Sequence, residues 1–305
     1  MPKERFDWAK PATQAAKGMR LVDRAGLIQS VGTHRDYQAC LTAFVAYIKD
    51  EKLACTDLRH SGREEAISYL QARSGELSQK TLDMHRQAIQ CYFQAKGDLK
   101  PGERLEIVKS TITTQLEHRA YTEAQVNLVC CAQRPDYALS TQIAYAAGLR
   151  AHELLTLRPI SEKSPDVRHY ADGSVKELPE KFVGREGVPY VVTGKGGLTR
   201  EVRIPAQLAV QLEATRLSTP ARVTDRGVFY QTHYAIPGGQ KWSNSFSAAS
   251  KRALGWSTGA HGLRHSYAQE RLNELKAVCP YERALETVSQ EMGHFRPEIT
   301  TVYLR

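Results

Sequence analysis

The chain has 305 residues, a length that accommodates about two domains. Lysine and arginine number 42 against 33 aspartate and glutamate, so the net charge is +9 at pH 7 and favours polyanionic partners. With 41% hydrophobic and 25% charged residues, the composition excludes wholesale disorder and a fibrous chain. The longest apolar stretches fall far short of the roughly 18 residues of a membrane span, and the first ten residues lack the apolar run of a secretory signal. These features predict an intracellular, cytoplasmic protein without a membrane segment.

The first part of the chain divides into a basic segment and a helical region. Residues 1–30 carry six Lys/Arg against three Asp/Glu, which predicts a basic N-terminal arm that either contacts nucleic acid or is a solvated tail. Apolar residues recur with helical spacing over 33–48 and 82–93, and a shorter helix is predicted over 64–72. Residues 31–118 are therefore predicted to form a small helical domain.

Residues 119–305 mix helical periodicity with one hairpin. Helices are predicted between residues 122 and 147, with a further helix from about residue 150. The polar residues 161–187, rich in proline and glycine, predict a long loop or insertion with little core, which is either solvated or contacts DNA or a partner. Strand-like residues on both sides of Gly194–Gly197 predict a β-hairpin, and the spacing after it is helical to the end. The predicted class is mainly α with a small β-hairpin or sheet (α+β).

The six cysteines include no CxxC pair and are scattered through apolar-periodic segments. This pattern predicts reduced, mostly buried thiols, with neither structural zinc nor a disulfide framework.

Four short segments in the second region carry the candidate reactive residues. They are Gly148-Leu149-Arg150-Ala151-His152-Glu153-Leu154, Thr193-Gly194-Lys195-Gly196-Gly197, His261-Gly262-Leu263-Arg264-His265, and Gly293-His294 followed nine residues on by Tyr303. Each alone is weak, because a single arginine, histidine or tyrosine is more often an ordinary surface or core residue. In this order they resemble the signature of the tyrosine recombinases, the phage integrase-like family of site-specific DNA strand-exchange enzymes.

The resemblance implies a set of roles around one DNA phosphate. The residues that would surround it are Arg150, Lys195, His261, Arg264 and His294. Tyr303 would attack the phosphorus, His261 would accept the phenolic proton, and Lys195 would protonate the departing 5′ oxygen. His294 would donate a hydrogen bond to a phosphate oxygen, and Glu153 would support Arg150.

Physical chemistry makes this assembly reasonable. Attack on a phosphodiester adds negative charge to its non-bridging oxygens, which guanidinium groups match with permanently charged forks. His261 and Arg264 are spaced i, i+3, so a helix would project both from one face. The pKa of a tyrosine is about 10, so Tyr303 needs a proton acceptor and positive surroundings. His265, one residue after Arg264, is predicted to have a structural role behind the site.

No cofactor or metal is expected, because a 3′-phosphotyrosine would conserve the bond energy for rejoining. Lys195 is followed by glycine and a strand pattern, which argues against an NTP-binding loop. His261 and His265 lack the glutamate of the HExxH zinc motif, and no Asp/Glu cluster indicates a two-metal nuclease site.

The resemblance also implies an architecture and partners. A helical core-binding domain (31–118) and a catalytic domain (119–305) would form a C-shaped clamp on double-stranded DNA. A homotetramer would act on two attachment sites, with possible accessory DNA-bending factors. The expected setting is integration, excision or inversion of a bacterial or phage-encoded mobile element at the nucleoid. Two alternatives stay open: a catalytically silent sequence-specific DNA-binding protein, and a topoisomerase IB-like or resolving enzyme.

Overall fold

A computed structural model describes residues 9–51, 57–113, 117–170 and 172–304. The chain separates into two compact units, residues 1–115 and residues 116–305. Within the described ranges, no helix combines the length and apolar character that crossing a bilayer requires. Cys40, Cys91 and Cys130 are buried free thiols and Cys131 is exposed, whereas Cys55 lies outside the described residues.

The first unit is helical in its described part. Its helices are α1 (Pro11–Arg24), α2 (Val31–Asp50), α3 (Arg63–Arg73) and α4 (Gln79–Lys96). The Oγ atom of Ser30 caps α2 by accepting a hydrogen bond from the backbone N–H of Thr33, and Gly97 ends α4 with φ 90°. Helices α2, α3 and α4 confirm the three helices predicted from apolar spacing.

The predicted N-terminal arm is wrong for residues 11–24, which form α1. Ala15, Met19 and Val22 recur with helical spacing and are buried in the core of the first unit. The excess of basic residues over this segment concealed one apolar helix face. Residues 1–8 of the predicted arm lie outside the described residues.

The second unit combines helices with two small antiparallel sheets. Its helices are α5 (Glu123–Cys131), α6 (Pro135–Ala146), α7 (Ala206–Glu213), α8 (Gly239–Leu254), α9 (Gly262–Leu275), α10 (Tyr281–Glu291) and α11 (Pro297–Thr301). Its strands are β1 (Arg158–Pro159), β2 (Val188–Thr193), β3 (Thr199–Ile204), β4 (Arg216–Asp225) and β5 (Val228–Tyr234). One sheet has the order β1-β2-β3 and the other pairs β4 with β5, which confirms the α+β class.

The predicted hairpin around Gly194–Gly197 is confirmed. Strands β2 and β3 pair from Val188 opposite Ile204 to Thr193 opposite Thr199, where the loop begins. The helix predicted from about residue 150 is shorter than expected, because only a 3₁₀ helix, Glu153–Thr156, forms there.

The helical spacing predicted after the hairpin is wrong for residues 216–234. Strands β4 and β5 form a second hairpin, in which Asp225 pairs with Val228 across the two-residue turn Arg226-Gly227. Both turn residues have positive φ, 49° and 80°, as this class of tight hairpin turn requires. The turn and the β-branched and aromatic residues of β5 were the sequence signal that apolar periodicity missed.

In its described residues the segment 161–187, the insertion, is irregular as predicted, and Leu178 is buried within it. It is nevertheless anchored to the second unit. The Oδ2 atom of Asp166 accepts a hydrogen bond from the N–H of Thr199 at 2.8 Å, and the N–H of Phe182 donates to Glu291 Oε1 at 2.8 Å. A purely solvated loop is therefore not the right description of this insertion.

Candidate active site

Tyr303 lies in the turn that follows the short helix α11. Its backbone N–H donates to the carbonyl of Thr300 at 2.9 Å, and its own carbonyl accepts from Gln269 Nε2 at 3.2 Å. These bonds tie the turn to α11 and to α9. The tyrosine is 8% exposed, so its ring is buried against the second unit.

Three imidazole rings and one guanidinium group surround the Tyr303 ring. The ring centroids of His265, His294 and His261 lie 4.8, 5.1 and 5.3 Å from it. The guanidinium carbon of Arg264 lies 5.6 Å from the ring centroid. The structure therefore brings together, around one phenol, residues that are up to 42 positions apart in the sequence.

Arg264 is fully buried in the first turn of α9, and its donors are aimed at the backbone. Nη1 donates to the carbonyl of Gly148, and Nη2 donates to the carbonyl of Met292 and to His294 Nε2, both at 3.1 Å. Burial and the nearby Arg150 lower the pKa of Arg264 to about 10, which leaves it charged at neutral pH.

Glu153 is the acidic centre of the pocket and is fully buried in the 3₁₀ helix. Its Oε1 accepts from Arg150 Nη1 at 2.8 Å, and its Oε2 accepts from Arg200 Nη2 at 2.8 Å. Arg264 Nη1 lies 3.8 Å from the same Oε2. Burial alone would raise the pKa of Glu153, but Arg200, Arg264 and Arg150 hold it well below its usual range. One carboxylate thus anchors three guanidinium groups.

Arg200 is a residue of the pocket that the sequence interpretation missed. It lies on β3, is 5% exposed, and donates from Nη1 to the carbonyl of Glu291 at 2.6 Å. Gly293 leaves space for it, because a Cβ there would lie 2.7 Å from Arg200 Cδ. A signal existed: Arg200 shares the strand face of Val202 and Ile204, where a charged side chain needs a buried partner.

His294 is held as a neutral ring. Because Arg264 donates to its Nε2, the proton is on Nδ1, which donates to Thr300 Oγ1 at 3.2 Å. Burial and the charges of Arg264 and Arg150 lower the pKa of His294 to about 3. His294, one of the predicted site residues, therefore links α11 to the buried guanidinium group of Arg264.

His261 and His265 flank the Tyr303 ring from the start of α9. His261 is exposed at the surface and occupies the N-cap position, whereas His265 is 3% exposed and lies 5.8 Å from His261 between ring centroids. Although His261 is partly exposed, desolvation of its ring and the charges of Arg264, His265 and Arg119 lower its pKa to about 3. His261 is therefore uncharged at neutral pH in the free protein.

Lys195 is separate from this cluster, on the exposed loop between β2 and β3. Gly196 and Gly197 have φ of 100° and 88°, a conformation that favours glycine, while Gly194 donates to the carbonyl of Leu198 at 2.7 Å. A Cβ at Gly194 would lie 3.5 Å from Glu153 Oε1, so the start of the loop adjoins the arginine cluster. The structure thus places five of the six predicted reactive residues together and the sixth on a neighbouring loop.

Across the residues that the structure describes, no cluster of three or more His, Cys, Asp or Glu side chains could hold a metal ion.

No protein-family model and no curated protein matches the chain. Several solved structures do match the chain in fold. The XerH site-specific recombinase bound to its difH substrate aligns with a TM-score of 0.58 at 16% identity, over 95% of this chain and 81% of that chain. A lambda integrase tetramer bound to a Holliday junction aligns with a TM-score of 0.58 at 14% identity, over 93% and 76%. The Tn1549 transposon integrase in complex with transposon right end DNA aligns with a TM-score of 0.55 at 13% identity, over 97% and 95%.

These neighbours define a class: the chain has the fold of the tyrosine recombinases and integrases. The expectation from the four sequence motifs is thereby confirmed at the level of the fold.

Proposed function

We propose that this protein is a site-specific DNA recombinase that cleaves and rejoins duplex DNA through Tyr303. The observation that carries the proposal is the enclosure of the Tyr303 ring by His261, His265, His294 and Arg264. A tyrosine that only filled a core would not need such partners. The phenol lies among three imidazoles, of which His261 and His294 are uncharged at neutral pH, and next to a buried cation, an environment suited to attack on an anion.

In the proposed reaction, the Tyr303 oxygen bonds to the scissile phosphorus while the bond from phosphorus to the 5′ oxygen breaks. His261 accepts the phenolic proton, a role that its neutral state at pH 7 permits. Lys195 donates a proton to the departing 5′ oxygen. The phosphodiester is replaced by a 3′-phosphotyrosine, so reversal by a 5′ hydroxyl rejoins DNA without an energy cofactor.

Arg150 and Arg264 would stabilise the charge that develops on the non-bridging oxygens. Glu153 fixes both groups in advance, since its carboxylate binds Arg150 at 2.8 Å and lies 3.8 Å from Arg264. Groups held in place before the reaction stabilise a transition state without a reorganisation cost. For His294 to donate a hydrogen bond to the phosphate, its proton would move to Nε2, which would give up its bond from Arg264, and Nδ1 would accept from the Thr300 hydroxyl. His265 would pack behind the phenol.

The wider role follows from the same proposal. The substrate is double-stranded DNA carrying attachment sites, and the net charge of +9 suits such a polyanion. The structural neighbours include a lambda integrase tetramer on a Holliday junction and a transposon integrase on transposon end DNA. By analogy, we propose a homotetramer acting on two sites of a mobile element, with possible accessory DNA-bending factors.

The decisive experiment looks for a covalent protein–DNA adduct. Nicked duplexes would be prepared from genomic fragments that the protein selects by binding, and the adduct would be read on a denaturing gel. Wild-type protein should form it, whereas Tyr303→Phe should bind the same DNA and form none, because the nucleophilic oxygen is absent. An undiminished adduct from Tyr303→Phe would remove Tyr303 from the mechanism.

The same assay separates the alternatives. A protein that binds selectively but forms no adduct is a silent DNA-binding protein. An adduct without joining of two duplexes, accompanied by relaxation of supercoiled DNA, indicates a topoisomerase IB-like enzyme.

A further inference from the structure

The last residue of α10, Glu291, carries a carboxylate that is buried to 1% exposure. Arg271 approaches it with Nε at 3.0 Å from Oε2 and Nη2 at 3.0 Å from Oε1. The hydroxyl of Tyr267 donates to Oε2 at 2.8 Å, and the N–H of Phe182 donates to Oε1 at 2.8 Å. The carboxylate of Glu291 thus accepts hydrogen bonds from α9 on one side and from the insertion on the other.

Arg271 makes a second connection to the insertion. Its Nη1 donates to the carbonyl of Val183 at 2.8 Å, and its Nη2 donates to the carbonyl of Glu180 at 3.3 Å. Phe182, between these two residues, has a φ of 61°, a left-handed conformation that a bulky side chain adopts only when its surroundings require it. Segment 180–183 is therefore held against the Arg271–Glu291 ion pair.

The backbone of the same residue faces the active site. The carbonyl of Glu291 accepts from Arg200 Nη1 at 2.6 Å, and the carbonyl of Met292 accepts from Arg264 Nη2 at 3.1 Å. Carbonyl groups at the end of a helix lack intrahelical partners and interact favourably with cations. The end of α10 thereby fixes two of the three guanidinium groups that lie around Glu153.

We propose that Glu291 is a positioning residue, which transmits the anchoring of the insertion to Arg200 and Arg264. The inference rests on the proposed strand cleavage, since the placement of Arg264 matters most when charge develops on the phosphate. Stability alone does not explain the Arg271–Glu291 pair, because well-packed apolar residues often replace a buried ion pair without loss of stability. A bidentate pair with further backbone bonds instead fixes a geometry.

The test uses two variants of the full chain. Glu291→Gln keeps the side-chain size and removes the charge that faces Arg271. The combination Tyr267→Phe, Arg271→Leu and Glu291→Leu removes the three paired side-chain polar groups together, so that neither charge of the ion pair is left buried alone, and is designed to stay folded. In both, we expect the dissociation constant for DNA to stay within about twofold and adduct formation to slow by about 100-fold, as a displacement of about 1 Å of a catalytic group can cause.

The matched control is Arg283→Gln. Arg283 on α10 pairs with the Glu180 side chain of the insertion at 3.1 Å, at the surface and without passing through Glu291. This variant should cleave DNA at the wild-type rate.

A second substrate distinguishes positioning from general damage. Replacing one non-bridging oxygen of the scissile phosphate by a methyl group makes it neutral and reduces its need for Arg264. Displacement of the guanidinium should therefore slow cleavage of ordinary DNA much more than cleavage of the methylphosphonate. An equal loss on both substrates, or no loss on ordinary DNA, would overturn the role given to Glu291.

A measurement without DNA keeps this inference separate from the proposed function. Ring-proton chemical shifts of His294, whose Nε2 lies 3.1 Å from Arg264 Nη2, report the position of that guanidinium in the free protein. They should change in both Glu291 variants and not in Arg283→Gln. If wild-type protein forms no adduct, the proposed function fails while these shifts still decide on Glu291, and unchanged shifts contradict the inference.

Discussion

The pocket around Arg264 and the loop around Lys195 are neighbours with opposite physical character. Arg264 is fully buried and bonded to the backbone carbonyls of Gly148 and Met292. Lys195 is exposed on a loop in which its neighbours Gly194, Gly196 and Gly197 carry no side chains. The guanidinium of Arg264 is therefore fixed before any ligand binds, whereas the ammonium group of Lys195 can move to a bound ligand.

This difference matches the two tasks in the proposed reaction. Stabilising the charge on a phosphate requires donors that are fixed in advance, because reorganisation during the reaction raises its barrier. Donating a proton requires a group that reaches its acceptor within hydrogen-bonding distance at the right moment. The contrast predicts that pocket variants change both stability and rate, whereas loop variants change the rate alone.

The largest effect in this comparison is expected from Lys195→Ala. Loss of a general acid should slow adduct formation on ordinary DNA by about 10²- to 10⁴-fold. Because Lys195 is exposed, the free energy of unfolding should change by less than about 0.5 kcal/mol. Single-turnover cleavage and urea denaturation measure the two quantities.

A substrate with sulfur in place of the departing 5′ oxygen provides the control for Lys195. Sulfur leaves without a proton, so this substrate should restore the cleavage rate of Lys195→Ala. A variant that stays slow on the sulfur substrate would show that Lys195 only positions DNA.

A smaller loss of rate, now accompanied by a loss of stability, is expected from Arg264→Lys. Lysine keeps the charge but cannot donate at once to Gly148, Met292 and His294. We expect adduct formation to slow by about 100-fold and the free energy of unfolding to fall by about 2 kcal/mol, because a buried carbonyl loses its partner. A variant of unchanged stability would mean that the pocket is not fixed in advance.

The two hairpins show how much of the fold was predictable from the sequence. The β2–β3 hairpin was evident, since a glycine-rich turn separates two runs of β-branched residues. The β4–β5 hairpin was missed, because Pro220 interrupts β4 and its largely exposed strands lack a clear apolar alternation. Periodicity reports burial, so an element with little buried surface leaves a weak pattern.

The same limit applies to the site. The reactive residues were identifiable because each lies in a short motif of fixed spacing. Arg200 and Glu291 lie outside those motifs, and their importance arises from contacts between residues 91 positions apart. The strand face of Arg200 indicates that it needs a buried partner, but spacing along one sequence does not identify that partner, so these contacts were visible only in the folded chain.

The smallest expected effect concerns the pH dependence of stability. The folded protein holds the pKa of His294 at about 3, whereas the pKa of a histidine in the unfolded chain is about 6.5. Between these values the unfolded chain binds more protons, so the contribution of His294 is complete above about pH 6.5 and is lost as the pH falls toward 3. His294→Asn keeps a donor for Thr300 and removes the titration. The free energy of unfolding of His294→Asn, measured in urea between about pH 7 and pH 5, should therefore fall less steeply with decreasing pH than that of the wild type. The two slopes should differ by the equivalent of at most about one bound proton. Parallel pH profiles would show that the ring next to Arg264 is not held neutral, and the pocket would then lack the fixed electrostatic character that distinguishes it from the Lys195 loop.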